Sequence, residues 1–343
     1  MEDLKNSFHV LSTEVQESMT FDAQQTLKDI LEMLDNYSGQ HDDTGVNHDT
    51  GTKRDTPGVE TFFWHLWARA LHDIGRCEMD HDQETNRDVK QVIGLLKAMR
   101  ELPEGKHVWT LWGEDIDARS LPLVGPGIRD ANNGLFYYAG PGDAEMARPE
   151  VQDALAGAGT GGNTDASVTA VLKRRKEWLG LQALIAKLLS EMGLKEYTVH
   201  GIWAARDGLE NWPTTPPAII TERNLEDPPA SDETAAYCAL LVEGATTWLR
   251  IAAPELYACT EIWGPNGNPE WKRNAGAPGR GGMRWKGVDG MDPEKKRWGL
   301  WKDVLHEVIA WYDKEADKGR GKNWKVKYGA VKALEAMALA EGN

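Results

Sequence analysis

The stretch Ser167–Met192, SVTAVLKRRKEWLGLQALIAKLLSEM, decides the fold. Leu172, Leu179, Leu181, Leu184, Ile185, Leu188 and Leu189 recur at helical spacing and make a broad apolar face. Asp165 or Ser167 stands where an N-cap is wanted, and Gly193 follows where the left-handed C′ residue belongs. A helix of this length, apolar over much of its circumference, needs other helices around it.

Working outward, the same period recurs. Ser12 to Asn36 reads as an amphipathic helix, with Phe21, Leu27, Ile30, Leu31 and Leu34 on one side. Gly58 to Ile74 and Gln83 to Leu102 are further helices, the latter ended by Pro103. Trp109 to Pro141 is expected to be short helices and irregular chain. Tyr197 to Arg206 continues as a short helix. Ser231 to Ile262 is helical with a break near Pro254, and Asp292 to Tyr312 and Lys325 to Ala340 close the chain as helices. Alternating runs of strand length are nearly absent. The expected class is all-α: mainly helical, with long irregular loops and little or no sheet. Residues 1–57 are expected to form an N-terminal helix and a mobile polar loop. Residues 58–343 should form one helical domain, with a Gly-rich insert near 140–167 and a Gly/Pro loop near 264–290.

Composition narrows the function. The net charge of −15 opposes non-specific nucleic-acid binding, so no nucleic-acid partner is expected. Trp271 to Asn343 runs the other way, with 16 Lys and Arg against 10 Asp and Glu, so the acidic excess lies upstream. Cys77, Cys238 and Cys259 are odd in number and widely spaced, which supports neither a disulfide framework nor a zinc site. Met1–Asn6 lacks the pattern of a signal peptide, and no apolar run is long enough for a membrane span. A cytoplasmic setting is the expectation. A homodimer is left open.

Motifs of known chemistry are sparse. Gly157-Ala158-Gly159-Thr160-Gly161-Gly162 matches GxGxxG, but Glu150 to Ala156 before it reads as helix rather than strand. A flexible linker is the better reading, and no cofactor is expected. His41, Asp42, Asp43, His48 and Asp49 cluster in a polar loop without metal-ligand spacing, so no metal is expected. There is no GxSxG elbow. His65, Arg69 and His72 fall at i, i+4 and i+7 on one helix face, beside Trp64 and Trp67. That stripe either lines a pocket or is the wet side of the helix.

Fifteen tryptophans are the strongest oddity of the sequence. Each carries a flat apolar surface and one N–H donor. Most must be core. A subset (Trp64, Trp67, Trp203, Trp263, Trp298 and Trp301) is expected to line one cavity for a bulky apolar ligand. Trp298, Trp301 and Leu305 share a face of the helix from Asp292, which Asp292 caps and Pro293 begins. Arg297 stands at the mouth of that stripe, where it could meet a carbonyl. His65, Arg69 and Arg297 are the candidate catalytic groups.

The most specific pattern is Trp285-Lys286-Gly287, then Gly290-Met291-Asp292-Pro293-Glu294, Arg297-Trp298 and Trp301-Lys302. It resembles a fungal family known only as domain of unknown function 3632. Weaker matches at Trp248 to Gly264, and at Leu102-Pro103 with Trp109 and Arg129-Asp130, extend the resemblance from about residue 60 onward. Helical fungal proteins of this general kind occur in secondary-metabolite gene clusters. The hetero-Diels–Alderases of tropolone–sesquiterpenoid pathways share comparable features. The resemblance implies a cofactor-independent enzyme that binds an apolar small-molecule substrate and promotes a pericyclic cyclisation, which needs shape and orientation more than titratable groups. A non-catalytic ligand-binding or interaction protein is the alternative. An NAD(P)-dependent enzyme working through the glycine run is a third.

Overall fold

The computed structural model describes residues 22–39, 55–56, 58–74, 87–139, 166–217, 234–317 and 325–342. The polar loop before residue 55, the glycine run at 157–162 and most of the Gly-rich insert lie outside them. Nine helices and one hairpin are described. In chain order they are α1 (Ala23–Gly39), α2 (Val59–Asp73), α3 (Arg87–Arg100), β1 (Val108–Leu111), β2 (Glu114–Asp117), α4 (Val124–Ala139), α5 (Ala166–Met192), α6 (Thr198–Ala205), α7 (Ala235–Ala258), α8 (Lys296–Asp317) and α9 (Lys325–Gly342). The fold is all-α with a minor sheet. The chain divides into two compact units. The first is Met1–Ala70 with Arg87–Gly127, and the second is Leu71–Asn86 with Ile128–Asn343.

In the first unit α1 packs on α3. Leu27, Ile30, Leu31 and Leu34 of α1 are buried, as their spacing requires. The hairpin falls where irregular chain was expected. β1 and β2 pair antiparallel with Leu111 opposite Glu114, leaving a loop of two residues, Trp112 and Gly113. Both have positive φ, 55° and 79°, as a type I′ turn requires. The Gly113 N–H donates to Asp55 Oδ1 at 2.8 Å. Phe63 of α2 meets Trp109 of β1 edge-on, with ring centroids 5.4 Å apart.

The second unit is built around α5 and α7. From Trp178 to Leu189 every residue of α5 is buried. The helix ends as expected: Gly193 has φ 67°, its N–H donates to the Leu189 carbonyl, and the Leu194 N–H donates to that of Leu188. The first of these is the single 5→1 bond of the αL motif. α7 packs on α5, α6 and α9. Thr234 caps it, its hydroxyl accepting from the Tyr237 N–H. Pro254 does not end α7 but kinks it, with Ala252 at φ −127° and ψ 26°. Arg175 of α5 and Glu243 of α7 form a buried two-pronged ion pair, Nε to Oε2 at 2.9 Å.

After α6 the chain widens into a π-helical segment, Arg206–Glu210. Two glycines let this region press against α7. A Cβ on Gly201 would lie 2.9 Å from the Trp248 ring, and one on Gly208 only 2.3 Å from the Leu241 carbonyl oxygen. α8 starts later than expected. Lys295 is left-handed, at φ 58°, so the helix begins at Lys296 and Pro293 stays outside it. Asp292 nevertheless satisfies the first free amides, accepting from the N–H groups of Lys296 at 2.9 Å and Arg297 at 2.8 Å.

Candidate functional site

The tryptophans expected at one cavity have different surroundings within their own units. Trp67 is buried in the first unit, its indole N–H donating to the Pro122 carbonyl at 2.7 Å. Trp64 is half-buried, with its N–H 3.3 Å from Glu60, and His65 is exposed. Arg69 is half-buried on the same helix, and the side chain of His72 lies outside the described residues. Trp263 is half-buried in the loop after α7, where its backbone N–H donates to the Asp289 carbonyl and its carbonyl accepts from the Gly279 N–H. Trp298 is buried between α8 and α9 and donates to Glu341 at 2.8 Å.

Arg297 and Trp301 belong to a sealed knot. Both are fully buried, as is Glu210 at the end of the π segment. Arg297 donates from Nε to Glu210 Oε1 at 2.6 Å and from Nη2 to Oε2 at 3.1 Å. Its Nη1 serves the carbonyls of Gly279 at 2.9 Å and Gly290 at 2.8 Å. Glu210 also accepts from the Trp301 indole N–H at 2.8 Å and the Gly282 N–H at 2.7 Å. The guanidinium lies 5.7 Å from the centroid of Trp285 and 5.9 Å from that of Trp301. Charge, donors and acceptors are matched within the protein, as a buried pair demands. Arg297 therefore does not stand at the mouth of a stripe. It is a lock that holds the loop of residues 264–290 onto α8. The loop is correspondingly close-packed: a Cβ on Gly279 would lie 2.1 Å from the Asp289 carbonyl.

A cleft does open elsewhere in the second unit. It is lined by Asn132 of α4, Trp178 and Gln182 of α5, His200, Trp203 and Ala204 of α6, Asp207 of the π segment and Leu241 of α7. Its empty volume is about 390 Å³, counted to the open mouth. Trp203 is the one expected cavity residue that lines it. Its ring is held by a bond from its N–H to the Pro278 carbonyl at 2.7 Å, next to the Gly279 that Arg297 holds. Trp178 is fixed from behind, since a Cβ on Gly244 would strike its ring at 2.3 Å.

Two titratable groups in this cleft are perturbed in complementary directions. Burial pushes the His200 imidazole down to about 4, so it is neutral at physiological pH. The ring packs against Trp203, 4.7 Å between centroids, and makes no hydrogen bond to the described residues. Burial raises the Asp207 carboxyl above its ordinary range. The bond from Arg206 Nε at 2.8 Å opposes that rise, and the charge of Glu210 adds to it. His200 and Asp207 are seven positions apart, about two turns along α6 and its π continuation. A neutral imidazole and a carboxyl of raised pKa, the latter paired with Arg206, thus line the same cleft.

Sequence reasoning passed over Asn132, Gln182, His200 and Asp207. One signal was available. Gln182 interrupts an otherwise apolar run, and a buried amide must find partners. Among the described residues no group of three His, Cys, Asp or Glu side chains could hold a metal ion, and no helix is long and apolar enough to cross a membrane.

Comparison with curated proteins and with solved structures gives no match. The model of a family described as "Protein of unknown function (DUF3632)" matches residues 77–305. That span covers α3 to the middle of α8 and more than half of the chain, so the protein belongs to this DUF3632 family.

Proposed function

We propose that the protein is a cofactor-independent enzyme that binds one compact, flat, largely apolar molecule in the α4–α5–α6–α7 cleft and moves a proton on it. The observation that carries this reading is His200. His200 is half-buried in the cleft wall and makes no hydrogen bond to a described residue, so its ring nitrogens are open to a ligand there. His200 then serves as the base and Asp207, paired with Arg206, as the second polar group at the reacting atoms, with the indoles of Trp178 and Trp203 providing apolar surface.

The cyclisation expected from the sequence keeps one form under this proposal. The cleft is small and open, its empty volume of about 390 Å³ being counted into the solvent at its mouth, so it suits part of one small substrate rather than two bulky partners. Ring closure assisted by proton transfer to or from a carbonyl would use both groups. A place in secondary metabolism, and a reducing aqueous compartment that suits the free thiols of Cys238 and Cys259, belong to the same proposal.

The test begins with small molecules released from the natively purified chain and identified by mass spectrometry. The bound compound, or a fraction containing it, is returned to the protein and its conversion followed. His200→Gln and Asp207→Asn should each lower conversion about 100-fold or more while leaving binding within a few-fold. Trp203→Ala should weaken binding. A compound returned unchanged would make the protein a carrier, and binding indifferent to Trp203 would place the site elsewhere.

A further inference from the structure

A chain of three side chains sets which way the cleft's amide points. Trp248 is fully buried in α7, and its indole N–H reaches Gln182 Oε1 at 2.9 Å. An indole is a donor and never an acceptor. Gln182 must therefore turn its oxygen to Trp248 and its NH2 the other way. That NH2 lies 3.0 Å from Asn132 Oδ1. Asn132 must in turn use its oxygen to accept, which leaves its own NH2 without an acceptor among the described residues. Asn132 and Gln182 both line the cleft. The polarity is fixed by chemistry along the chain, because Gln182 cannot flip without opposing its NH2 to the buried Trp248 N–H, and Asn132 cannot flip without opposing its NH2 to that of Gln182.

We infer that Trp248, acting through Gln182, presents Asn132 as a hydrogen-bond donor to the cleft, and that the ligand is therefore a flat molecule bearing a carbonyl oxygen. This rests on the cleft being the binding site. Asn132 is the specificity-determining residue, and Gln182 and Trp248 are positioning residues. An NH2 aimed at a carbonyl oxygen also favours negative charge developing there, which fits proton transfer beside that carbonyl. A ligand edge that only donates would leave the Asn132 NH2 unmet.

The test uses two flat bicyclic probes of similar size on the full chain. 1-Indanone accepts a hydrogen bond and does not donate one; indole donates and does not accept. Binding is followed by two-dimensional NMR through the Asn132 side-chain amide and the Trp203 indole. The parent should bind 1-indanone about tenfold more tightly than indole, the scale of one matched against one unmatched buried hydrogen bond. Gln182→Glu replaces the relay with a carboxylate that accepts from both neighbours. Asn132 then turns its NH2 inward and its oxygen to the cleft, and the preference should reverse. Asn132→Asp removes the donor at a half-buried position that tolerates the change, and should abolish the preference even where Gln182→Glu impairs folding. An unchanged preference for 1-indanone in the folded variants would overturn the relay and leave the cleft as a binding site. Failure of either probe to perturb Asn132 or Trp203 in the parent would overturn the binding reading and this inference together.

Discussion

Arg297→Met tests whether the knot is structural. The substitution keeps the length and apolar volume of the stem and removes the charge. It deletes the bonds to Glu210 at 2.6 and 3.1 Å and those to the Gly279 and Gly290 carbonyls. Glu210, fully buried, keeps only the Trp301 and Gly282 donors. Removing one partner of a buried pair leaves an uncompensated charge and costs about 3–5 kcal/mol. At about 2–4 °C per kcal/mol for a unit of this size, the melting temperature should fall by about 6–20 °C. Urea unfolding followed by tryptophan fluorescence gives the free energy, and circular dichroism gives the melt. The double variant Arg297→Met/Glu210→Leu should lose less than the sum of its singles, by about 1 kcal/mol or more, because neither charge is then stranded. A single variant within about 1 kcal/mol of the parent, or an additive double, would refute the lock. Either result would return Arg297 to the list of groups free to meet a ligand.

Three further outcomes follow from the same structure. His200 in the folded chain protonates near 4, below the ordinary value of 6.5. The unfolded chain therefore takes up this proton first, and stability should fall as the pH drops from about 6.5 to about 4, at up to about 1.4 kcal/mol per pH unit. His200→Gln should flatten that slope, and an imidazole that titrates near 6.5 by NMR would contradict the burial. Gly208→Ala should destabilise by about 1–3 kcal/mol through its clash with the Leu241 carbonyl, whereas Gly299→Ala, within α8 with nothing inside 4 Å, should stabilise by about 0.5–1 kcal/mol. Equal melting temperatures for the two would refute the packing argument. Trp112→Asn should raise stability by about 1 kcal/mol, since Trp112 is 58% exposed yet holds φ at 55°, where Asn is better tolerated. A fall in the melting temperature would show that the indole is held by packing.

The parts of the fold legible in the sequence were those written in local order. α5 declared itself through its apolar period and Gly193, because helix register and a left-handed stop both depend on neighbours in the chain. The hairpin escaped because its strands have four residues each and its turn is Trp-Gly, where the recognised signal is Asn-Gly or Asp-Gly. The start of α8 escaped because Lys295, at φ 58°, carries no glycine to announce a left-handed residue. The π segment has no sequence signature of its own. The cleft was least legible. Asn132, Gln182, His200 and Asp207 come from three helices and a π turn. Each is a single polar residue whose role depends on partners up to 66 positions away, as Trp248 is from Gln182.

The tryptophans misled for a physical reason. An indole in a core and an indole at a ligand have the same composition and the same need for an acceptor. Only the acceptor's identity separates them. Trp67 and Trp301 give their N–H groups to Pro122 and Glu210 within packed interiors, and the buried Trp298 gives its own to Glu341 at the surface. Trp203 gives its own to Pro278 in the outer loop and keeps its ring along the cleft. The residues that carry the family resemblance follow the same division. Trp285, Gly290, Asp292, Arg297 and Trp301 converge on the Glu210 knot, so this motif reports how the last third of the chain is fastened, not what the protein binds. The knot still bears on the chemistry through the π segment. Asp207 lines the cleft and Glu210, three residues on, grips Arg297. The loop repeats the linkage, with Pro278 holding Trp203 and Gly279 holding Arg297. Cleft and knot are thus tied at two adjacent points, and rigidity at the buried ion pair is what keeps Asp207 and the Trp203 ring in place.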